Sequence, residues 1–157
     1  MSKELFVLLS NRVVGRVIQE DRGKLSFTYD EAWRDIRRSY PLSLSMPLAA
    51  LEHRHTEISA YIWGLLPDNE RVLDRWAKKF QVSARNPFAL IANVGEDCAG
   101  AVQFVRPERL DATIDSEGGD IAWLEEAEIA ARIRQLREDQ SAWRLPADTG
   151  QFSLAGA

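Results

Sequence analysis

Short runs of apolar residues, separated by polar ones, open the chain. The apolar run 5–9 is too short for a surface helix, and the polar residues 10–12 divide it from a second run, 13–18. Segment 25–29 alternates apolar with hydroxyl residues, which is typical of a strand with one buried face. The pattern predicts three antiparallel strands that follow one another along the chain.

A helical period follows in the middle of the chain. Five apolar residues with spacings of three and four predict an amphipathic helix that ends at Pro67: Ile58, Tyr61, Ile62, Leu65 and Leu66. A second helix is predicted after Asp68. Asn86 as N-cap, Pro87 at the first helical position and Gly95 just past the end predict a third.

Segment 40–48 separates the strands from these helices. Pro41 and Pro47 remove backbone donors and restrict the residues before them, so an interior helix is excluded and an extended connector is predicted.

The last third of the chain predicts a strand at 101–105, a mobile loop at 111–120 with two glycines, and a helix from about 123 to 138. Strands followed by helices, a strand and a last helix are typical of an α+β fold. We therefore expect a small antiparallel sheet, made of the N-terminal meander and one later strand, packed with several helices.

Composition agrees with a globular chain. Of its 157 residues, 45% are hydrophobic and 28% are charged, which is too apolar for intrinsic disorder. The net charge of −4 supplies no positive field to attract nucleic acid. The lone Cys98 excludes an internal disulfide, the charged start is no secretory signal, and no apolar stretch approaches the ~20 residues of a membrane span. A cytoplasmic location without membrane contact is expected.

Residue chemistry alone completes no active site. Segment 95–100 has the glycine spacing of a phosphate loop, but it lacks the following Lys and Ser/Thr and runs from a helix to a strand, so a helix stop is expected. His53 and His55 are the only histidines, too few for a zinc site, and a solvated loop is expected there. Cys98 has no neighbouring base or cation and is expected to be a buried thiol.

Three stretches resemble the HipA family, in that family's order and spacing. They are YPLSLSMPL at 40–48, WGLLPDN at 63–69 with Arg71, and NPFALIANVGEDCAGAV at 86–102. The final residues, FSLAGA at 152–157, resemble the opening of the family's glycine-rich ATP loop.

The resemblance implies a serine/threonine kinase toxin of a type II toxin–antitoxin system that phosphorylates a translation component. Ser153 matches the family's autophosphorylated serine, against the alternative of an ordinary terminal hydroxyl. Ala155, Gly156 and Ala157 match the start of the nucleotide loop. A HipB-like helix-turn-helix antitoxin is the implied partner, with DNA contacted only through it. ATP and Mg are implied for the full-length kinase, and neither is expected to bind the isolated chain.

The family's catalytic and metal-binding residues are missing from this sequence, which has no matching phosphate-binding Lys, catalytic Asp or magnesium-binding Asp or Asn. The resemblance therefore implies an inactive N-terminal fragment, whether a truncation, a proteolytic product or a split gene product. Residues 1–106 are expected to form the first N-terminal subdomain, and 107–157 a linker, a helix and the start of the kinase lobe. The remainder of the kinase, or a second HipA-like chain, is the other expected partner.

A second reading is a standalone HipS-like small subunit that binds and neutralises a separate HipA-like kinase. Such a module is expected to end soon after the strand at 102–105, whereas this chain continues to Ser153 and beyond. A third reading, an enzyme built on paired carboxylates, lacks a motif that places an acid opposite a base.

Overall fold

The structure is a computed structural model that describes residues 3–96, 98, 101–115 and 123–138. Its strands are β1 (Lys3–Leu9), β2 (Arg12–Gln19), β3 (Leu25–Tyr29), β4 (Glu52–His53) and β5 (Val102–Val105). Its helices are α1 (Glu31–Arg34), α2 (His55–Trp63), α3 (Glu70–Phe80), α4 (Pro87–Val94), α5 (Leu110–Ile114) and α6 (Glu126–Glu138). A short 3-10 turn at Pro107–Arg109 precedes α5.

The five strands form one antiparallel sheet in the order β4-β3-β2-β1-β5. Ser10 and Asn11 connect β1 to β2 with φ of 50° and 60°, the left-handed backbone that a tight hairpin requires. The last strand, β5, returns to lie beside the first, β1. The predicted α+β fold and its three-stranded N-terminal meander are confirmed.

One face of the sheet carries the main hydrophobic core. Leu5 and Val7 of β1, Val17 of β2 and Phe27 of β3 are buried in one cluster with the apolar residues of α2, α3 and α4. Helix α2 packs on β3 and on α4, and α3 packs on α4. The helices therefore form a layer over one face, since alternate side chains of each strand point to that side.

Helix ends follow the local sequence closely. Asn86 caps α4 by accepting a hydrogen bond from the Ala89 N–H at 3.1 Å, and Pro87 occupies the first turn. The prediction for this helix is confirmed. Helix α2 ends at Gly64, so Leu65 and Leu66 follow the helix and do not extend it to Pro67.

The opposite face of the sheet is partly covered near β1 and β5. Leu8 and Val105 are fully buried but lie outside the main cluster, as alternation along each strand requires. The 3-10 turn contacts β1 on the way to α5.

The predicted loop at 111–120 is wrong for Asp111–Ile114, because these residues belong to helix α5. Within this stretch the Thr113 hydroxyl donates to the Arg109 carbonyl at 2.9 Å. Residues 116–120 lie outside the described part.

Helix α6 confirms the predicted final helix, with Glu126 and Glu128 in its first turn and Arg137 in its last. The Glu128 carboxylate accepts the Glu125 backbone N–H at 2.8 Å, which satisfies a donor at the helix start. None of its described residues is buried. Among the helices of the described ranges, none combines the length and apolar character that crossing a bilayer requires.

Candidate interaction surface

The residues that the family resemblance assigns to nucleotide contact are Ser153, Ala155, Gly156 and Ala157, and all four lie outside the described residues. Within residues 3–96, 98, 101–115 and 123–138, no group of three or more His, Cys, Asp or Glu side chains could hold a metal ion. The candidate functional features of the described residues are therefore their surfaces and the contacts that shape them.

The two histidines do not lie in a solvated loop, so that prediction is wrong. His53 is 7% exposed in β4 and its ring packs against the rings of Phe27 and Tyr29, with centroids 6.3 and 5.5 Å away. His55 starts α2, and its Nδ1 accepts the Leu25 N–H at 3.1 Å. Both imidazoles are used by the fold: the pairing of β4 with β3 carries the His53 ring over the core, and the exposed His55 satisfies the Leu25 N–H at the start of β3.

Segment 95–100 confirms a helix stop, as far as it is described. Helix α4 is capped by Gly95, whose carbonyl accepts the Phe104 N–H of β5 at 2.6 Å. A Cβ at Gly95 would lie 2.5 Å from the Ile91 carbonyl oxygen, so only glycine allows this close approach. The glycine thus joins helix and strand in the core.

Cys98 is a buried thiol, as predicted, and its Sγ donates to the Gly95 carbonyl at 3.4 Å. Half-buried Tyr61 of α2 is electrostatically coupled to it. The pKa of Tyr61 is raised to about 12, mainly by burial. The negative charges that Cys98 and Tyr29 acquire on ionisation contribute the rest. The phenol is therefore held in its neutral form well into the alkaline range.

This shift predicts a pH dependence of stability. Below pH 10, the ordinary pKa of tyrosine, the neutral hydroxyl is present in both folded and unfolded chains and its contribution is complete. Between pH 10 and about 12 the unfolded chain loses the Tyr61 proton and the folded chain keeps it, so the free energy of unfolding falls. Urea unfolding across this range should show a steeper loss for the wild type than for Tyr61→Phe, and equal slopes would contradict the assignment.

A tight turn stands where an extended connector is predicted. In the Leu44 turn, defined as residues 42–46, the Met46 N–H donates to the Ser43 carbonyl at 2.9 Å and the two residues form an isolated β-bridge. The Ser43 hydroxyl accepts the Ser45 N–H at 3.3 Å and lies 3.0 Å from the Ser45 hydroxyl. The absence of a helix is confirmed, but the segment folds back on itself.

Side chains from β3 and α1 hydrogen-bond to the backbone of this turn and of the residues that flank it. The Tyr29 hydroxyl donates to the Met46 carbonyl at 2.6 Å and accepts the Leu42 N–H at 2.8 Å. On either side, the Trp33 indole N–H donates to the Tyr40 carbonyl at 3.2 Å and Arg34 Nε donates to the Leu48 carbonyl at 3.1 Å. Four backbone groups of the segment are thus held by three side chains.

The tip of the turn is left in solvent. Leu42 and Met46 are buried, whereas the Leu44 side chain between them is 94% exposed. Tyr40 and Leu51 are also exposed for large apolar side chains, so three of them lie within twelve residues of sequence. Sequence reasoning marked this segment as a motif and missed its exposed tip, because alternation in Leu-Ser-Leu-Ser-Met would place Leu42, Leu44 and Met46 on one side of an extended segment.

A second surface surrounds the half-buried Trp63 at the end of α2. One cavity, of about 390 Å³, is lined by Trp63, His55 and Asn86, and a neighbouring one, of about 570 Å³, by Trp63, Asp68 and Asp74. Arg85 borders both. Because Trp and Arg are enriched at binding hot spots, the surface around Trp63 and Arg85 is a further candidate contact surface.

Comparison with known proteins identifies the family of this chain. The model for the HipA N-terminal domain matches residues 5–105. The Sinorhizobium fredii protein Y4mE is 38% identical over 101 residues, 64% of this chain and 24% of Y4mE. The serine/threonine-protein kinase toxin HipA of Shewanella oneidensis is 38% identical over 77 residues, 49% of this chain and 17% of that toxin.

A solved structure is similar as well. A chain in the complex of Shewanella oneidensis HipA, HipB and operator DNA matches with a TM-score of 0.62 and 26% identity, over 93% of this chain and 32% of the other. The chain therefore spans a quarter or less of the curated relatives it matches and about a third of the matched solved chain.

Proposed function

Since the chain belongs to the HipA N-terminal domain family, we propose that it is the amino-terminal lobe of a HipA-like serine/threonine kinase toxin. The observation that carries the proposal is the family match over residues 5–105, joined to structural similarity with a chain of a HipA–HipB–DNA complex. The lobe supports the ATP loop and supplies contact surface, and it does not transfer phosphate alone.

The relative lengths support the non-catalytic assignment. The curated kinase toxin that this chain resembles is about six times longer than the part that matches. Phosphoryl transfer needs a phosphate-binding Lys, a catalytic Asp and metal-binding residues held together. We place those groups in the kinase body, meaning the part of a HipA-like chain that lies outside the match.

The same assignment divides the chain in two. Residues 1–106 are the first N-terminal subdomain, a boundary supported by the end of β5 at Val105, and residues 107–157 lead into the kinase lobe.

The partners follow from the same assignment. The similar solved structure contains HipB and operator DNA together with HipA, which supports a helix-turn-helix antitoxin as the partner of the assembled kinase. The chain itself carries a net charge of −4, so DNA is contacted through the antitoxin and not by a positive surface of this lobe.

A phosphorylation switch belongs to the same proposal. Ser153 is the autophosphorylated residue, and Ala155, Gly156 and Ala157 begin the loop whose backbone N–H groups receive ATP phosphates in the full-length kinase with Mg. Phosphate on Ser153 would add about −1.5 to −2 charges where the nucleotide phosphates bind, which excludes ATP. Intact-mass analysis of a full-length kinase carrying this segment, incubated with Mg-ATP, should show one added phosphate. No phosphate on Ser153 would refute the switch.

The test of the function uses two experiments on the 157-residue chain. Isothermal titration with Mg-ATP should give no binding and no turnover. Co-expression with a tagged Y4mE polypeptide lacking its 101 matched residues should retain the chain on the tag. Tight ATP binding with turnover by the chain alone would refute a non-catalytic lobe. Binding to an intact kinase with loss of its activity would instead support the neutralising small subunit.

A further inference from the structure

The fold holds the Leu44 turn rigidly without using its central side chain. Tyr29, Trp33 and Arg34 hydrogen-bond to the backbone on both sides of the tip. Leu44 itself is 94% exposed and adds nothing to the core. A rigid support under an exposed apolar side chain lowers the entropy lost when that side chain enters a pocket.

The segment that carries the tip contains no charged residue. Residues 39–51 form a run without Asp, Glu, Lys or Arg in a chain of which 28% is charged. Several of these residues are exposed, and they are small or apolar: Tyr40, Leu44, Ser45, Pro47, Ala49, Ala50 and Leu51. The centre of a protein interface is depleted of charge in this way, whereas a solvated loop is not.

We propose that the Leu44 turn is the anchor by which this lobe docks on the kinase body, with Leu44 inserted into an apolar pocket of that body. The inference rests on the proposed function and adds to it a named contact. The turn supplies one deep apolar contact, and the uncharged residues around it exclude water at the rim.

The lengths of the matched chains favour the kinase body as the occupant of the turn. A stable complex between two protein surfaces buries about 800 Å² on each side, so the Leu44 turn is the anchor within a wider contact between lobe and body. A few central side chains carry most of the binding energy of such a contact. The matched solved chain carries such a body, since only 32% of it corresponds to this chain.

The experiment compares Leu44→Ser with the wild type in the 157-residue chain, co-expressed with tagged Y4mE lacking its 101 matched residues. Loss of one buried leucine should weaken binding by about tenfold to one hundredfold. The variant Leu44→Met should bind about as tightly as the wild type, because methionine fills a similar apolar pocket. Ile114→Ser, at an exposed apolar residue of α5, is the matched control and should bind like the wild type.

The outcomes separate the two proposals. Retention of wild type and Leu44→Ser alike would overturn the anchor and leave the proposed function standing. Failure to retain even the wild type would overturn both. Leu44→Ser should unfold at the wild-type temperature, because its side chain is in solvent. Dimerisation of the wild-type chain in sedimentation that Leu44→Ser abolishes would assign the turn to a second copy and overturn the kinase body as its occupant.

Discussion

Replacing Gly15 by alanine should destabilise the protein by about 3 kcal/mol or more, near the upper end of the cost of overpacking. A Cβ at Gly15 would overlap the Thr28 carbonyl oxygen of the neighbouring strand and come within 2.8 Å of the Phe27 ring. The carbonyl is backbone and the ring is fully buried, so neither can move without disturbing the pairing of β2 with β3. The melting temperature should fall by about 6–12 °C.

Gly64→Ala provides the matched control for this substitution. Gly64 caps α2 with φ −67°, a conformation that alanine adopts freely, and its Cβ would lie at ordinary contact distances of 3.5 and 3.6 Å. Its stability should stay within about 0.5 kcal/mol of the wild type or rise slightly, because alanine restricts the unfolded chain. If Gly15→Ala melts at the same temperature as Gly64→Ala, then β2 and β3 can separate at Gly15 with little loss of stability.

Tyr29→Phe should cost about 2–4 kcal/mol although it removes a single oxygen. That oxygen is the shared partner of the Met46 carbonyl and the Leu42 N–H, which belong to two buried residues. Each buried backbone group left without a partner costs about 1–3 kcal/mol. Chemical denaturation should show a lower midpoint with an unchanged slope, since the folded state keeps its compactness.

Tyr40→Phe is the control for the loss of a hydroxyl at the surface. Tyr40 is half-exposed, and its ring makes an edge contact with Trp33 that phenylalanine preserves. A change within about 0.5 kcal/mol is expected. Equal effects of Tyr29→Phe and Tyr40→Phe would mean that the Leu44 turn is not held by the buried hydroxyl, which would also weaken the case for a preorganised anchor.

Several elements follow from the sequence because their causes are local. The cap Asn86 and the first-turn Pro87 set the start of α4 through contacts within three residues. The strand β3 shows its buried face directly in its alternation. The family was also accessible, since motifs 40–48, 63–69 and 86–102 resemble HipA proteins by residue order alone.

The interpretation of the histidines failed because burial there depends on distant pairing. His53 stands between Glu52 and Arg54 and looks solvated in sequence. Only the two-residue strand β4, paired with Phe27 and Thr28 of β3, turns its ring into the core. The short helix α5 was missed for a different reason, because its five residues are too few for a periodic signal.

The sequence by itself therefore determined the α+β class, the N-terminal meander, most helix positions and the family, because these depend on side-chain period, caps and motif order. Only the tertiary structure decided the candidate surface. Tyr29 lies 13 residues before Leu42 and 17 before Met46, and its hydroxyl joins both ends of the turn. A contact across that separation has no local signature, and it alone distinguishes the exposed Leu44 from the buried apolar residues on either side.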